Sequence, residues 1–166
     1  MKVLAIDTSN QAMSIAVLDD EKVIGEITTN IKRNHSERLM PAIDELMNDV
    51  QWQSSELNRI VVAKGPGSYT GLRIGVTVAK TLAWTLGVEL VGISSLKILA
   101  GNCESSPHYL VPLFDARRKN IYTGLYQWQN GKLIQIEEDK HISAEQWAEY
   151  LSKKEGTFEL IGEDQA

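Results

Sequence analysis

The chain has 166 residues, 43% of them hydrophobic and 23% charged, an ordinary globular balance that fits one domain or two small ones. A formal net charge of −5 argues against strong nucleic-acid binding by the chain on its own. Neutralising phosphates takes clustered Lys and Arg, and the basic spots Lys32-Arg33 and Arg117-Arg118-Lys119 are short. Cys103 is the single cysteine, so no internal disulfide can form, which suits a reducing, cytoplasmic compartment. The opening run Met1–Asp7 is too short for a signal peptide, and the apolar region 74–90 carries Lys80 and Glu89, so no membrane span is expected.

Lys2 to Asp7 predicts a strand ending at a carboxylate, Ser14 to Leu18 a second strand, and Lys22 to Thr29 a third. Ser36 is placed to cap a helix running to about Asn48, with Leu39, Ile43, Leu46, Met47 and Val50 at helical spacing and Pro41 distorting its start. Arg59 to Ala63 predicts a strand. A glycine loop and a helix from Gly71 to about Leu86 follow, then a strand Glu89–Ile93 and a helix opening at Ser95. Tyr109 to Asp115 begins the same pattern again, an apolar strand ending in Asp. Ile121–Gln127 and Lys132–Asp139 mirror the second and third strands, joined at the strong hairpin turn Asn130-Gly131. Ser143 caps a helix to about Ser152, and Phe158–Ile161 is a strand. The order reads as an internal duplication whose second copy stops short, with residues 1–103 forming a first lobe and 104–166 the start of a second. A half-built unit leaves an apolar sheet face uncovered, so a longer parent chain is expected.

The segment Lys64-Gly65-Pro66-Gly67-Ser68-Tyr69-Thr70-Gly71-Leu72-Arg73-Ile74-Gly75 joins a strand to a helix N-terminus. Two readings stay open. Backbone N–H groups at the positive end of the helix dipole can hold an anion. Alternatively, Gly67, Gly71 and Gly75, four apart, let another backbone come close. The loop lacks the Gly-Lys-Ser/Thr ending of a P-loop and the glycine spacing of the dinucleotide fingerprint.

Tandem βββαβα units, the first opening on a strand-Asp turn, resemble the actin-like ATPase superfamily with its ribonuclease H-like fold, an α/β architecture of two lobes. The resemblance sharpens when Ile6-Asp7-Thr8-Ser9, His35-x-x-Arg38-x-x-Pro41, the Gly65–Gly75 loop and Gly92-Ile93-Ser94-Ser95-Leu96 are taken together. In that order and spacing they closely resemble the TsaB (YeaZ) family, glycoprotease-like relatives of the enzyme TsaD. The match spans Met1 to about Ile161 and is strongest in the first hundred residues. Family members continue for several tens of residues further.

The resemblance implies a non-catalytic scaffold subunit, a pseudoenzyme. It implies that the chain dimerises with and activates a TsaD-type catalytic subunit and works with a TsaE-type ATPase. That assembly forms N6-threonylcarbamoyladenosine at adenosine 37 of tRNAs reading codons that begin with A. It implies a homodimer when the chain is alone, contact with tRNA through the complex, and no membrane partner. No cofactor is expected in this chain itself, while ATP or ADP with Mg is allowed at the partner interface. Candidate nucleotide-binding residues are Asp7, Thr8, Ser9, Gly65, Gly67 and Ser68. In superfamily kinases a carboxylate at the Asp7 position helps hold magnesium; the alternative is that Asp7 caps its own turn.

TsaD carries a His-x-x-x-His metal pair where this chain has Ser95 and Leu99, so no metal and no catalytic residue is expected. The three histidines, His35, His108 and His141, lack ligand spacing. His35 either bonds backbone near the helix start or touches another subunit. Candidate interface residues are His35, Leu39, Ile43, Met47, Leu72, Gly75, Val78 and Trp84; Tyr69 and Trp84 read as core aromatics or interface anchors. The rival readings are an autonomous ATP-binding ATPase or kinase and, less favoured, a peptidase.

Overall fold

A computed structural model describes residues 1–31, 34–104 and 106–162. The Lys32-Arg33 spot lies outside the described residues. The chain divides into two compact units at Ile93/Ser94.

The first unit is a five-stranded sheet in the order β3-β2-β1-β4-β5. Its strands are β1 (Lys2–Asp7), β2 (Met13–Asp19), β3 (Lys22–Thr29), β4 (Arg59–Ala63) and β5 (Glu89–Ile93). β1, β2 and β3 run antiparallel through tight connections, while β4 and β5 pair in parallel because a helix must carry the chain back each time. Those helices are α1 (His35–Asp49) and α2 (Tyr69–Leu86). α1 lies over β2 and β3, and α2 over β1, β4 and β5, side by side. The core between them joins Leu4, Ile6, Ile15, Val17 and Ile60 of the sheet to Leu39, Ile43, Leu46 and Met47 of α1 and Ala79 and Ala83 of α2.

Both helices start differently from expectation. Ser36 does not cap α1; the cap position is Asn34, in the left-handed region at φ 71, and its carbonyl takes the first helical N–H groups, from Glu37 and Arg38. Asn tolerates that conformation better than other non-glycine residues, which is why the helix starts there. Pro41 stands inside α1 without interrupting it. Helix α2 begins two residues earlier than expected because Ser68 caps it, its hydroxyl accepting the N–H of Gly71. Gly87, in the left-handed region at φ 67, closes it.

The second unit is a four-stranded sheet in the order β8-β7-β6-β9, made of β6 (Tyr109–Asp115), β7 (Asn120–Gln129), β8 (Lys132–Ser143) and β9 (Phe158–Gly162). It repeats β3-β2-β1-β4 of the first unit strand for strand, including the parallel β6–β9 pair. Helix α4 (Ala144–Ser152) is capped by the Ser143 hydroxyl, as the sequence predicts. Helix α3 (Ser95–Gly101) moves away from its expected place. It packs on the second sheet, Leu96 and Ala100 against Leu110, Phe114 and Tyr126, so it falls in the second unit although the expected lobe boundary placed it in 1–103. Trp147 of α4 joins Val111 and Leu125 on the opposite face.

Candidate functional site: the glycine loop and the α1–α2 surface

The β1–β2 connection is the pivot of the first unit. The Asp7 carboxylate accepts the backbone N–H of Ser9 at 2.8 Å, a short loop that turns the chain at the end of β1. This is the turn-capping role of Asp7. The turn drives Thr8 and Ser9 into the protein, where they are 1% and 2% exposed.

The glycine loop closes on this turn. Ser68 N–H donates to the Ser9 carbonyl at 2.7 Å, and the Thr8 hydroxyl donates to the Gly71 carbonyl at 2.7 Å. A Cβ on Gly67 would strike the Ser9 carbonyl, one on Gly71 the Thr8 carbonyl, and one on Gly75 the Thr8 hydroxyl. Gly65, at φ 107, leaves Leu72 just enough room, 3.2 Å from where a Cβ would stand. The expected set Asp7, Thr8, Ser9, Gly65, Gly67 and Ser68 is thus brought together, but its close approach serves the chain's own first turn. Asp7 Oδ1 and the Ser68 N–H are both engaged within this turn.

Beside the loop, the starts of α1 and α2 border a cavity of about 410 Å³ lined by Asn10, Gln11, His35, Ser36, Ser68 and Thr70, among others. His35 reaches across it to the Asn10 carbonyl, Nε2 to oxygen 3.1 Å. With Nε2 carrying the proton, that bond is a donation and Nδ1 remains as the acceptor; it is buried, with no hydrogen-bond partner among the described residues. This is the backbone-bonding role for His35. A second hollow, about 460 Å³, continues along Tyr69, Arg73, Ile74, Thr77 and Val78.

The expected interface set splits in two. Leu39, Ile43 and Met47 are 0%, 6% and 7% exposed and fill the core under the sheet, so they are not available to a partner. Helical spacing alone could not tell which face the sheet would cover. Gly75 is buried against Thr8 of its own chain. Leu72 and Val78 are half-buried, and Val78 packs on the core. Trp84 is 87% exposed and stands on the outer face of α2 among the exposed Arg73, Thr77 and Lys80. Tyr69 at 75% and Met40 of α1 at 45% are exposed as well. Sequence reasoning did not single out Met40; its place one residue after the buried Leu39 was the available signal.

The positions matched to the metal-binding histidines are filled by chain packing. Ser95 is 1% exposed and Leu99 packs on the core of the second unit. Among the described residues, no group of three or more His, Cys, Asp or Glu is placed to hold a metal, and no helix is long and apolar enough to cross a membrane.

The strand order, the parallel β1–β4–β5 half and the repeated strand-Asp turn define an actin-like, ribonuclease H-like α/β protein. A family model for TsaD, tRNA N6-adenosine threonylcarbamoyltransferase, matches residues 22–161. The chain is 49% identical over 164 residues to the tRNA threonylcarbamoyladenosine biosynthesis protein TsaB of Bacillus subtilis, a match covering 99% of this chain and 72% of that protein. It is 32% identical over 130 residues to TsaB of Buchnera aphidicola from Schizaphis graminum, covering 77% of this chain and 61% of that one. The solved structure of YeaZ from Pseudomonas aeruginosa superposes with a TM-score of 0.80 at 31% identity, covering 85% of this chain and 67% of that chain. This chain belongs to the TsaB (YeaZ) family of TsaD-like proteins.

Proposed function

We propose that the chain is a non-catalytic scaffold subunit in the synthesis of N6-threonylcarbamoyladenosine on tRNA. It docks on a TsaD-type catalytic subunit and activates it, works with a TsaE-type ATPase, and meets tRNA within that assembly in the cytoplasm. Alone it pairs with a second copy. The names carried by its relatives supply the pathway. The observation that carries the docking role is the α1–α2 surface. Trp84, Tyr69 and Met40 stand exposed on it beside a groove of about 460 Å³. Exposed aromatics next to a hollow are the anchors around which protein interfaces form. The non-catalytic role is supported by how the chain uses its chemical groups. The His35 ring bonds the Asn10 carbonyl, His141 rests on Tyr122, and Leu99 lies in apolar packing. The reading allows ATP or ADP with Mg at the interface with the partner.

The test is reconstitution of tRNA modification from a TsaD-type subunit, a TsaE-type ATPase and the threonylcarbamoyl donor, with and without this chain. Modification that needs the chain, and no transfer by the chain alone, is expected. Full modification in its absence would sink the scaffold role. ATP hydrolysis by the isolated chain would favour the autonomous ATPase instead.

A further inference from the structure

We propose that the β6–β7 turn, Arg117-Arg118-Lys119, is a contact surface for an RNA phosphate backbone; this rests on the tRNA-modification reading above. All three residues lie in the left-handed region, at φ 67, 53 and 63. Three successive positive φ values are a run that L side chains disfavour. Elsewhere among the described residues, non-glycine positive φ occurs singly, at Asp20, Asn34, Gln51 and Asn130, three of them Asp or Asn, the types that tolerate it. A connection that had only to reverse the chain would use such residues, as Asn130-Gly131 does at the other end of β7. Here three long cationic side chains occupy the strained positions, and strain that the surroundings hold in place points to use.

The surroundings do hold it. Arg117 N–H donates to the Asp115 carboxylate at 2.8 Å, Asn120 N–H to the Arg117 carbonyl at 2.9 Å, Ala116 N–H to the Asn120 carbonyl at 2.9 Å, and Ala144 N–H to the Lys119 carbonyl at 2.9 Å. These bonds fix the backbone of the turn, and the three side chains are exposed. Among the described residues, the one ion pair of this turn joins Arg117 to Asp115 at 3.5 Å, with the Arg117 side chain 88% exposed, and such a pair contributes little. Arg118 and Lys119 make no ion pair with any described residue. The turn is therefore a fixed cationic point on a chain of net charge −5, able to orient a polyanion without binding it tightly alone.

The first unit shows what the same turn becomes without this role. Asp7 and Ser9 make the equivalent 2.8 Å bond, but Thr8 and Ser9 are buried under the glycine loop. A chain of phosphates fits the second turn better than a mononucleotide does. The residues project outward rather than lining an enclosure, and guanidinium groups pair with phosphate oxygens in a two-toothed fashion.

The experiment measures binding of a fluorescent tRNA transcript to the chain with its TsaD-type partner, across a salt series, for the natural chain and the triple variant R117N/R118N/K119N. Asn tolerates positive φ, so the variant should melt at the same or a higher temperature. It should lose about tenfold or more in affinity at low salt, and its log affinity against log salt slope should flatten by about 2. R118K should retain most of the binding. Unchanged affinity and slope in the triple variant overturn the proposal, as does tRNA binding by neither the chain nor the complex. Loss of ATP binding without loss of RNA binding overturns it in favour of a nucleotide site. If tRNA is modified without this chain yet the turn still governs RNA binding, the scaffold role fails and this inference stands. If modification needs the chain and the triple variant modifies and binds tRNA normally, this inference fails alone.

Discussion

The contact between Gly75 and Thr8 allows a sharp test of why the glycine repeat exists. In Gly75→Ala the new methyl would run into the Thr8 hydroxyl, which is buried and bonded to the Gly71 carbonyl at 2.7 Å. Overpacking of this kind costs about 1–3 kcal/mol. Alanine in a helix returns up to about 1 kcal/mol over glycine. The net loss should be about 1–2 kcal/mol. Thr8→Ala removes the hydroxyl and its bond, at about 1 kcal/mol, while the Gly71 carbonyl keeps its helical partner. With the hydroxyl gone, the nearest remaining atom to the methyl introduced at position 75 is the Cβ of residue 8, at 3.5 Å, an ordinary contact. Gly75→Ala in the Thr8→Ala background should therefore be neutral or stabilising. A double-mutant cycle by urea unfolding should show a favourable coupling of about 1–3 kcal/mol. Losses that add to within about 0.5 kcal/mol would refute the packing argument. So would a Gly75→Ala variant of full stability that fails only in dimerisation, which would return the glycine to a partner interface.

The surface of α1 and α2 should separate into stability and docking residues. Trp84→Glu should leave the melting temperature within about 2 °C and weaken pairing with a second copy or a TsaD-type subunit at least tenfold, because the indole is exposed in the single chain. Ile43→Ala, by contrast, should cost about 2–4 kcal/mol of folding stability from its core position; a stable Ile43→Ala variant deficient only in association would reverse that assignment. Alkaline unfolding should report on Tyr126. Burial first, and then its bond to Asp139, push its phenol up from 10.0 in the folded state. The proton is held more tightly when folded, so the contribution is complete below about pH 10 and is lost as pH rises beyond it. Tyr126→Phe should flatten the fall in stability between about pH 10 and 11.5, and an unchanged slope would remove Tyr126 as its source. Tyr150, raised by its bond to Glu137 but 38% exposed, should contribute less.

Strand and helix positions were legible wherever a single local signal decided them. Alternation marked the strands, Asn130-Gly131 marked the hairpin, Ser143 marked the start of α4, and the repeated strand-Asp opening marked the two units. The family motifs were legible for the same reason, since they are short stretches in fixed order. The sequence also left Asp7, His35 and the glycine loop with two roles each, because the amino acid alone does not say what lies opposite. The tertiary structure shows what each touches within the chain. The β1 turn folds under the glycine loop, with Asp7 Oδ1 bonded to the Ser9 N–H and the Ser68 N–H to the Ser9 carbonyl. Helical spacing grouped Leu39, Ile43 and Met47 correctly but could not tell a face turned to the sheet from one turned to a partner, since both bury apolar surface. The placement of α3 on the second sheet depended on Leu96 and Ala100 meeting Leu110, Phe114 and Tyr126, residues that follow it in the chain. The left-handed conformation of Arg117-Arg118-Lys119 was the least legible of all. Nothing in those residue types favours it, and it exists because hydrogen bonds from Asn120 and Ala144 and to Asp115, converging only in the folded unit, hold it there.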